Sequence, residues 1–157
     1  MLRISRLTDY ATVLLAALAG EPARVRTATA LAEQTHIAAP TVSKLLKQLQ
    51  RAGLVISTRG LHGGYQLARP AAQISAAAIL DALEGPLALT DCAAGHGNCD
   101  IEDSCRVSRV WQRLNLVIRR ALYEVSLAQL AGLDAAPARL PALEREMKSV
   151  ASRAPLR

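Results

Sequence analysis

Apolar positions in the first third of the chain recur at intervals of three and four, the pattern of helices that each bury one face. Leu7, Ala11, Leu14, Leu15 and Leu18 predict a first helix over 5–18, which Gly20, Glu21 and Pro22 end. Thr27 is placed to cap a second helix through Ala28, Leu31 and Ala32, stopping near His36. Pro40, well tolerated at a first helical position, opens a third that runs to Gly53 on a core stripe of Val42, Leu45, Leu46 and Leu49. The period then shortens to two. Leu54-Val55-Ile56-Ser57-Thr58 and Tyr65-Gln66-Leu67-Ala68-Arg69 flank the Gly-rich RGLHGG and predict a β-hairpin.

Ser75 caps a fourth predicted helix over 76–84, terminated by Gly85-Pro86. A polar stretch, CAAGHGNCDIEDSC (92–105), leads into a long helix over about 104–123. Val107, Trp111, Leu114, Ile118, Ala121 and Val125 line it at spacings of 4, 3, 4, 3 and 4, a heptad-like stripe suited to packing on a partner helix. Ser126-Leu127-Ala128-Gln129 matches a capping box for one more short helix. From Gly132 the chain turns to Ala, Pro and Arg, the composition of a flexible tail over 132–157, with room for a helical stretch over 143–150. The expected fold class is mainly α: a winged helix–turn–helix domain over 1–74, then a cysteine-bearing loop and long helix over 75–131. No internal repeat is present.

Composition sharpens this picture. The chain is 51% apolar, enough for a packed core, but has three Tyr, one Trp and no Phe, so Leu, Ala, Val and Ile must fill it. No apolar run reaches the roughly 18 residues of a membrane span, so no membrane partner is expected. The opening MLRISRLTDY lacks the apolar core and cleavage site of a signal peptide. Three cysteines are too few for a disulfide scaffold and point to the reducing, cytoplasmic compartment.

Charge falls in blocks. Residues 1–74 hold nine Lys/Arg against three Asp/Glu, residues 75–105 hold six Asp/Glu and no Lys or Arg, and residues 106–157 hold ten basic and four acidic side chains. A basic first half suits a polyanion, although a merely solubilising surface has the same composition. The order helix, helix–turn–helix, hairpin favours double-stranded DNA, with a protein-interaction module as the alternative use of such a domain: when it binds DNA, the third helix enters the major groove while the wing touches the backbone. Thr41, Ser43, Lys44 and Gln48 can bond bases or phosphates, and Lys47, Arg51, Arg59 and His62 can neutralise phosphates. Gly60, Gly63 and Gly64 let the wing backbone come close. No nucleophile–base constellation or phosphate-binding Gly loop is present, and GLHGG precedes no helix, so neither an enzyme nor a small-molecule substrate is expected.

Cys92, Cys99 and Cys105 are spaced C-x6-C-x5-C, without the close pair of structural zinc sites. Wide spacing of soft ligands suits a larger inorganic body. His96 would complete a four-ligand zinc set with them, and redox-active or incidental thiols stay open as well.

Six stretches carry a resemblance to a known family: LTDYATVLLAALA (7–19), PTVSKLLKQLQRAGLV (40–55), RGLHGGYQLARP (59–70), DALEGPLALTDC (81–92), CRVSRVWQRLN (105–115) and SLAQL (126–130). Across residues 1–131 the chain resembles the bacterial winged-helix iron–sulfur regulators of the IscR/NsrR type, closest to the branch that controls Suf-type cluster assembly. The resemblance implies a homodimer built on the long helix and a [2Fe–2S] or [4Fe–4S] cluster on Cys92, Cys99 and Cys105. Cluster occupancy would set DNA affinity, with the protein a transcriptional repressor of cluster-assembly or stress genes. Where IscR-like members have a ligating His, this chain has Ser108; Asp9 matches the Asp that NsrR-like members donate from the first helix of the partner subunit. The resemblance therefore implies Asp9 as fourth ligand, with His96 its competitor. Two departures stand out: His36 replaces a turn glycine and is expected to accept left-handed geometry less easily, and Pro40-Thr41-Val42-Ser43 differs from the IscR recognition turn. The alternative is a winged-helix DNA binder with structural zinc or redox-active thiols and no cluster.

Overall fold

The computed structural model describes residues 4–60, 62–94, 98–101 and 104–134. Helix α1 spans Arg6–Gly20, α2 Ala28–Thr35 and α3 Ala39–Arg51; strands β1 (Val55–Thr58) and β2 (Gly64–Leu67) follow, then α4 (Ala76–Glu84), α5 (Asp91–Ala94), α6 (Ser108–Glu124) and α7 (Leu127–Leu130). The expected mainly helical fold with one small antiparallel sheet is what the chain adopts.

The caps fall where side-chain chemistry puts them. Ser5, Thr27 and Ser75 each accept from the amide three residues on, satisfying a donor that the first helical turn leaves unpaired. Helix α1 starts one residue after Ser5 and runs two beyond the expected end. Its inward face also departs from the predicted stripe. Leu7 is exposed, and Thr8 takes the buried place because its hydroxyl donates to Glu84 Oε1 at 2.5 Å. His36 does adopt the left-handed conformation (φ 56°, ψ 25°), the one non-Gly residue with positive φ among those described, and histidine is one of the few residue types enriched there.

Pro40 occupies the second rather than the first position of α3. The helix ends in a Schellman motif: Leu54 N donates to Leu49 O at 2.9 Å and Gly53 N to Gln50 O at 3.0 Å, with Gly53 at φ 69°. Val42, Leu45, Leu46 and Leu49 are completely buried and meet Leu14, Leu15, Leu31 and Leu54 in one core, to which Ile74, Ile79 and Leu127 also belong. The hairpin pairs Val55 with Leu67 and Thr58 with Gly64, two residues shorter at its far end than the expected 65–69 strand. A third segment joins its edge, as Arg26 and Tyr65 exchange both backbone bonds at 2.9 and 2.8 Å.

The second half departs more from expectation. Residues 104–107 are not α-helical, so the long helix begins at Ser108, four residues late, with no side-chain cap at Val107. One helical turn, α5, also forms at Asp91–Ala94, inside the stretch read as loop. The capping box at Ser126 and Gln129 forms as expected, and Ala76 N to Val125 O (2.8 Å) with Leu127 N to Ile74 O (2.7 Å) ties the end of α6 to the start of α4. The tail beyond residue 134, including the 143–150 stretch, lies outside the described residues. No helix among the described residues is long and apolar enough to cross a membrane.

Candidate DNA-binding face and cysteine segment

Helix α3 turns its polar side outward. Lys44, Lys47 and Arg51 are exposed at i, i+3 and i+7, a row of three cations on one face. Thr41 and Ser43 are half-buried beside them. Gln48 is half-buried too, and its Oε1 is enclosed without a hydrogen-bond partner. Arg59, Gly60 and His62 lie exposed at the tip of the hairpin, and Gly63 N closes the turn on Gly60 O at 2.9 Å.

Two glycines are required here by close approach. A Cβ on Gly63 would stand 2.4 Å from Thr58 O, and one on Gly64 would stand 2.6 Å from Arg26 O. Both contacts are to backbone, which cannot swing aside, so the GG of RGLHGGY is what lets the hairpin fold back and the Arg26 segment pair with it.

Two tethers escaped the sequence reading. Gln50 Nε2 donates to Ser57 Oγ at 2.9 Å, holding the hairpin against α3. The Arg26 guanidinium bonds Glu21 Oε1 and Gln34 Oε1, both at 2.9 Å, fixing the strand-like segment against α2. The Arg24 guanidinium bonds the same Glu21 and, with Arg26, holds its carboxyl below the ordinary value of 4.5. Neither tether has a local signature, since each joins residues brought together only by the fold.

In the second half, Cys92 is buried on α5, while Cys99 and Cys105 are half-buried; all three are free thiols. Thr90 Oγ1 lies 3.1 Å from Cys92 Sγ, and Cys92 O accepts from Gln112 Nε2 at 3.1 Å. Buried Asn115 donates from Nδ2 to Leu87 O (3.1 Å) and accepts at Oδ1 from Leu89 N (3.2 Å). Ser108, at the position of the IscR-like ligating His, is buried at the start of α6.

Asp9 is exposed on the first turn of α1, at the edge of an apolar groove of about 320 Å³ whose walls include Ile79, Leu122 and Leu130. His96 lies outside the described residues. Among the described residues no three His, Cys, Asp or Glu side chains gather closely enough to hold a metal ion. The donors nonetheless fit a cluster in kind: three soft, unpaired thiols on a segment free of Lys and Arg, with a carboxylate exposed on another element. What one chain does not do is bring them all together.

Several curated relatives carry the name HTH-type transcriptional regulator. The chain is 37% identical over 100 residues to an HTH-type transcriptional regulator of Haemophilus influenzae, covering 64% of this chain and 66% of the relative. It is 42% identical over 109 residues to another from Synechocystis, covering 69% and 71%. It thus spans about two thirds of the length of the first of these. Among solved structures, CymR of Bacillus subtilis, the global cysteine regulator, matches at TM-score 0.66 and 25% identity, covering 85% of this chain and 99% of that one. IscR of T. potens matches at TM-score 0.60 and 28% identity, covering 82% and 85%. These are winged-helix transcriptional regulators and not enzymes. The helix–turn–helix, the glycine-dependent wing and the long helix behind the cysteines all lie within residues 4–132, which match the model described as iron-dependent transcriptional regulator: the chain belongs to the Rrf2 family.

Proposed function

We propose that the protein is a homodimeric repressor whose grip on a double-stranded DNA operator is set by an iron–sulfur cluster, and that it controls cluster-assembly or stress genes. The observation that carries this reading is the combination, in one Rrf2-family chain, of a cationic α3 face with three free thiols on a segment bonded to α6. Lys44, Lys47, Arg51, Arg59 and His62 meet phosphates, Thr41, Ser43 and Gln48 face the bases, and Gly60 and Gly63 bring the wing backbone near the duplex. The second copy covers the apolar stripe that α6 leaves exposed, including Val107, Trp111 and Leu114.

Cys92, Cys99 and Cys105 would hold the cluster, and Asp9 of the partner subunit would complete the set. When bound, the cluster supplies an iron site whose oxygen ligand is weakly held, a point of entry for nitric oxide or oxygen. Asp9, on the first turn of α1, joins the winged-helix half of one subunit to the cysteine segment of the other, and so sets the separation of the two α3 helices. Half-site contacts need a separation of about 34–36 Å, so a small shift loses several phosphate contacts at once. Coupling of this kind amounts to about 5- to 150-fold in affinity.

The test compares operator binding by anaerobically reconstituted and metal-free protein, with Cys92→Ala as control. Reconstituted protein should bind within the stated range more tightly and Cys92→Ala should not respond; equal affinities would refute cluster control and leave DNA binding standing. A second reading, in which the thiols are redox-active or hold structural zinc without a cluster, draws on the same three free thiols. That protein would be colourless and silent above the protein absorption band, whereas absorption and Mössbauer spectra of anoxically purified material distinguish two-iron, four-iron, zinc and empty forms.

A further inference from the structure

Helix α6 meets its own chain through a polar row. Ser108, Gln112, Asn115 and Arg119 recur at i, i+4, i+7 and i+11, one face of a helix, and Ser108 and Asn115 are its two buried residues. Three of its members reach α4 or the segment that runs up to and includes Cys92. Arg119 pairs with Asp81 on α4 at 3.3 Å, Asn115 spans the backbone of Leu87 and Leu89, and Gln112 reaches the carbonyl of Cys92 itself. The amide of Asn115 uses both its donor and its acceptor on an irregular segment, so it fixes register as well as contact: a shift of one residue would leave buried polar groups unpaired. Two residues before Cys92, the Ala93 N to Thr90 O turn (2.9 Å) sets the Thr90 hydroxyl beside the sulfur.

We propose that Asn115 and Gln112 are positioning residues for Cys92: they lock the 87–92 segment onto α6, and Thr90 orients the sulfur, before any metal or second copy is present. The interest of this lock rests on the reading of Cys92 as a ligand, but the lock itself is a property of the metal-free chain. It makes Cys92 the fixed point on which a ligand set assembles, with half-buried Cys99 and Cys105 brought to it. It also fastens that point to the helix whose outer face is free for a second copy.

The experiment measures alkylation of each thiol by iodoacetamide in full-length, metal-free, reduced protein, resolved by residue through fragmentation mass spectrometry. Cys92 should react slowest. Asn115→Leu should accelerate Cys92 by about ten- to a hundredfold, and Gln112→Leu by about tenfold. Cys99 and Cys105 should keep their rates, and Gln112→Lys, which restores a donor, should return Cys92 toward the original rate. An unchanged Cys92 in both leucine variants overturns the proposal. So does equal acceleration of all three thiols, which marks general loosening in place of positioning. Should Asn115→Leu fail to fold, the Gln112→Leu and Gln112→Lys pair decides alone. None of these rates involves iron, so a protein that shows them yet never takes up iron or sulfide keeps the positioning role and loses the cluster.

Discussion

Helices α3 and α6 are both amphipathic, and they are mounted the opposite way round. Helix α3 buries its apolar stripe completely and shows cations to solvent. Helix α6 turns a polar row inward and leaves the first half of its apolar stripe in the open, with Trp111 41% and Leu114 43% exposed and Val107, just ahead of the helix, 56%. The first arrangement satisfies the hydrophobic effect within one chain; the second satisfies hydrogen bonds within the chain and defers the apolar surface to something outside it. The cationic face of α3 is thus a finished surface, whereas the outer face of α6 leaves apolar side chains in water.

The comparison breaks most visibly in the core. Leu46→Ala should lower unfolding free energy by about 2–5 kcal/mol, since the side chain is wholly buried among leucines that relax little into the gap. Chemical denaturation measures this directly. On α6 the counterpart is Trp111→Ala. Its cost should fall on self-association, by about 2 kcal/mol or more if Trp111 anchors the interface, read by sedimentation across a concentration series. A Trp111→Ala protein that unfolds as easily as Leu46→Ala while associating normally would erase the distinction between the two helices.

The same contrast explains what was legible in the sequence. The α3 stripe was read residue for residue, because its period, its Pro40 and its Gly53 are all local signals for an element that packs inside its own chain. The caps at Thr27, Ser75 and Ser126 are legible for the same reason. The stripe on α6 was legible as a stripe, yet its inward row was not: Gln112 and Asn115 look like ordinary surface residues until the 87–92 segment is laid against them. The expected start at about 104 lies four residues early because the apolar stripe continues back to Val107 while the Ser104 hydroxyl turns back to Ile101 O at 3.3 Å. Leu7 was misplaced because periodicity prices apolar residues inward and has no knowledge of Glu84, whose carboxylate draws Thr8 in. For the site, residue types were readable and proximity was not: three thiols and Asp9 could be named, but nothing local says that one chain leaves them apart.

Cations allow a finer test, because both helices expose them. Lys47→Ala on α3 should weaken operator binding about equally for all sequences and reduce the slope of log affinity against log salt by about 1, the mark of one lost phosphate contact. Arg109→Ala on α6, also exposed, should leave that slope unchanged. Titrations at several salt concentrations give both numbers. A slope that fell with Arg109 and held with Lys47 would place DNA on the wrong helix.

The smallest expected effect concerns how each half is fastened. Glu84 ties α4 to α1 by accepting from Thr8 Oγ1 at 2.5 Å and Ser5 N at 3.0 Å, and the Thr8 bond above all holds its carboxyl below the ordinary value of 4.5. A carboxyl lowered on folding stabilises the folded form while ionised, so its contribution is fully present above about 4.5 and fades as pH falls through the folded value. The bonds that Asn115 and Gln112 make to the 87–92 segment are between amides and backbone, and do not titrate. Unfolding midpoints measured from neutral pH into the acid range should therefore show a modest acid-side loss that Glu84→Gln flattens and Asn115→Leu leaves in place. The loss is modest because Glu84 is largely solvated and water screens it. Parallel acid profiles for Glu84→Gln and the unaltered protein would show that the α1–α4 junction is held by packing alone.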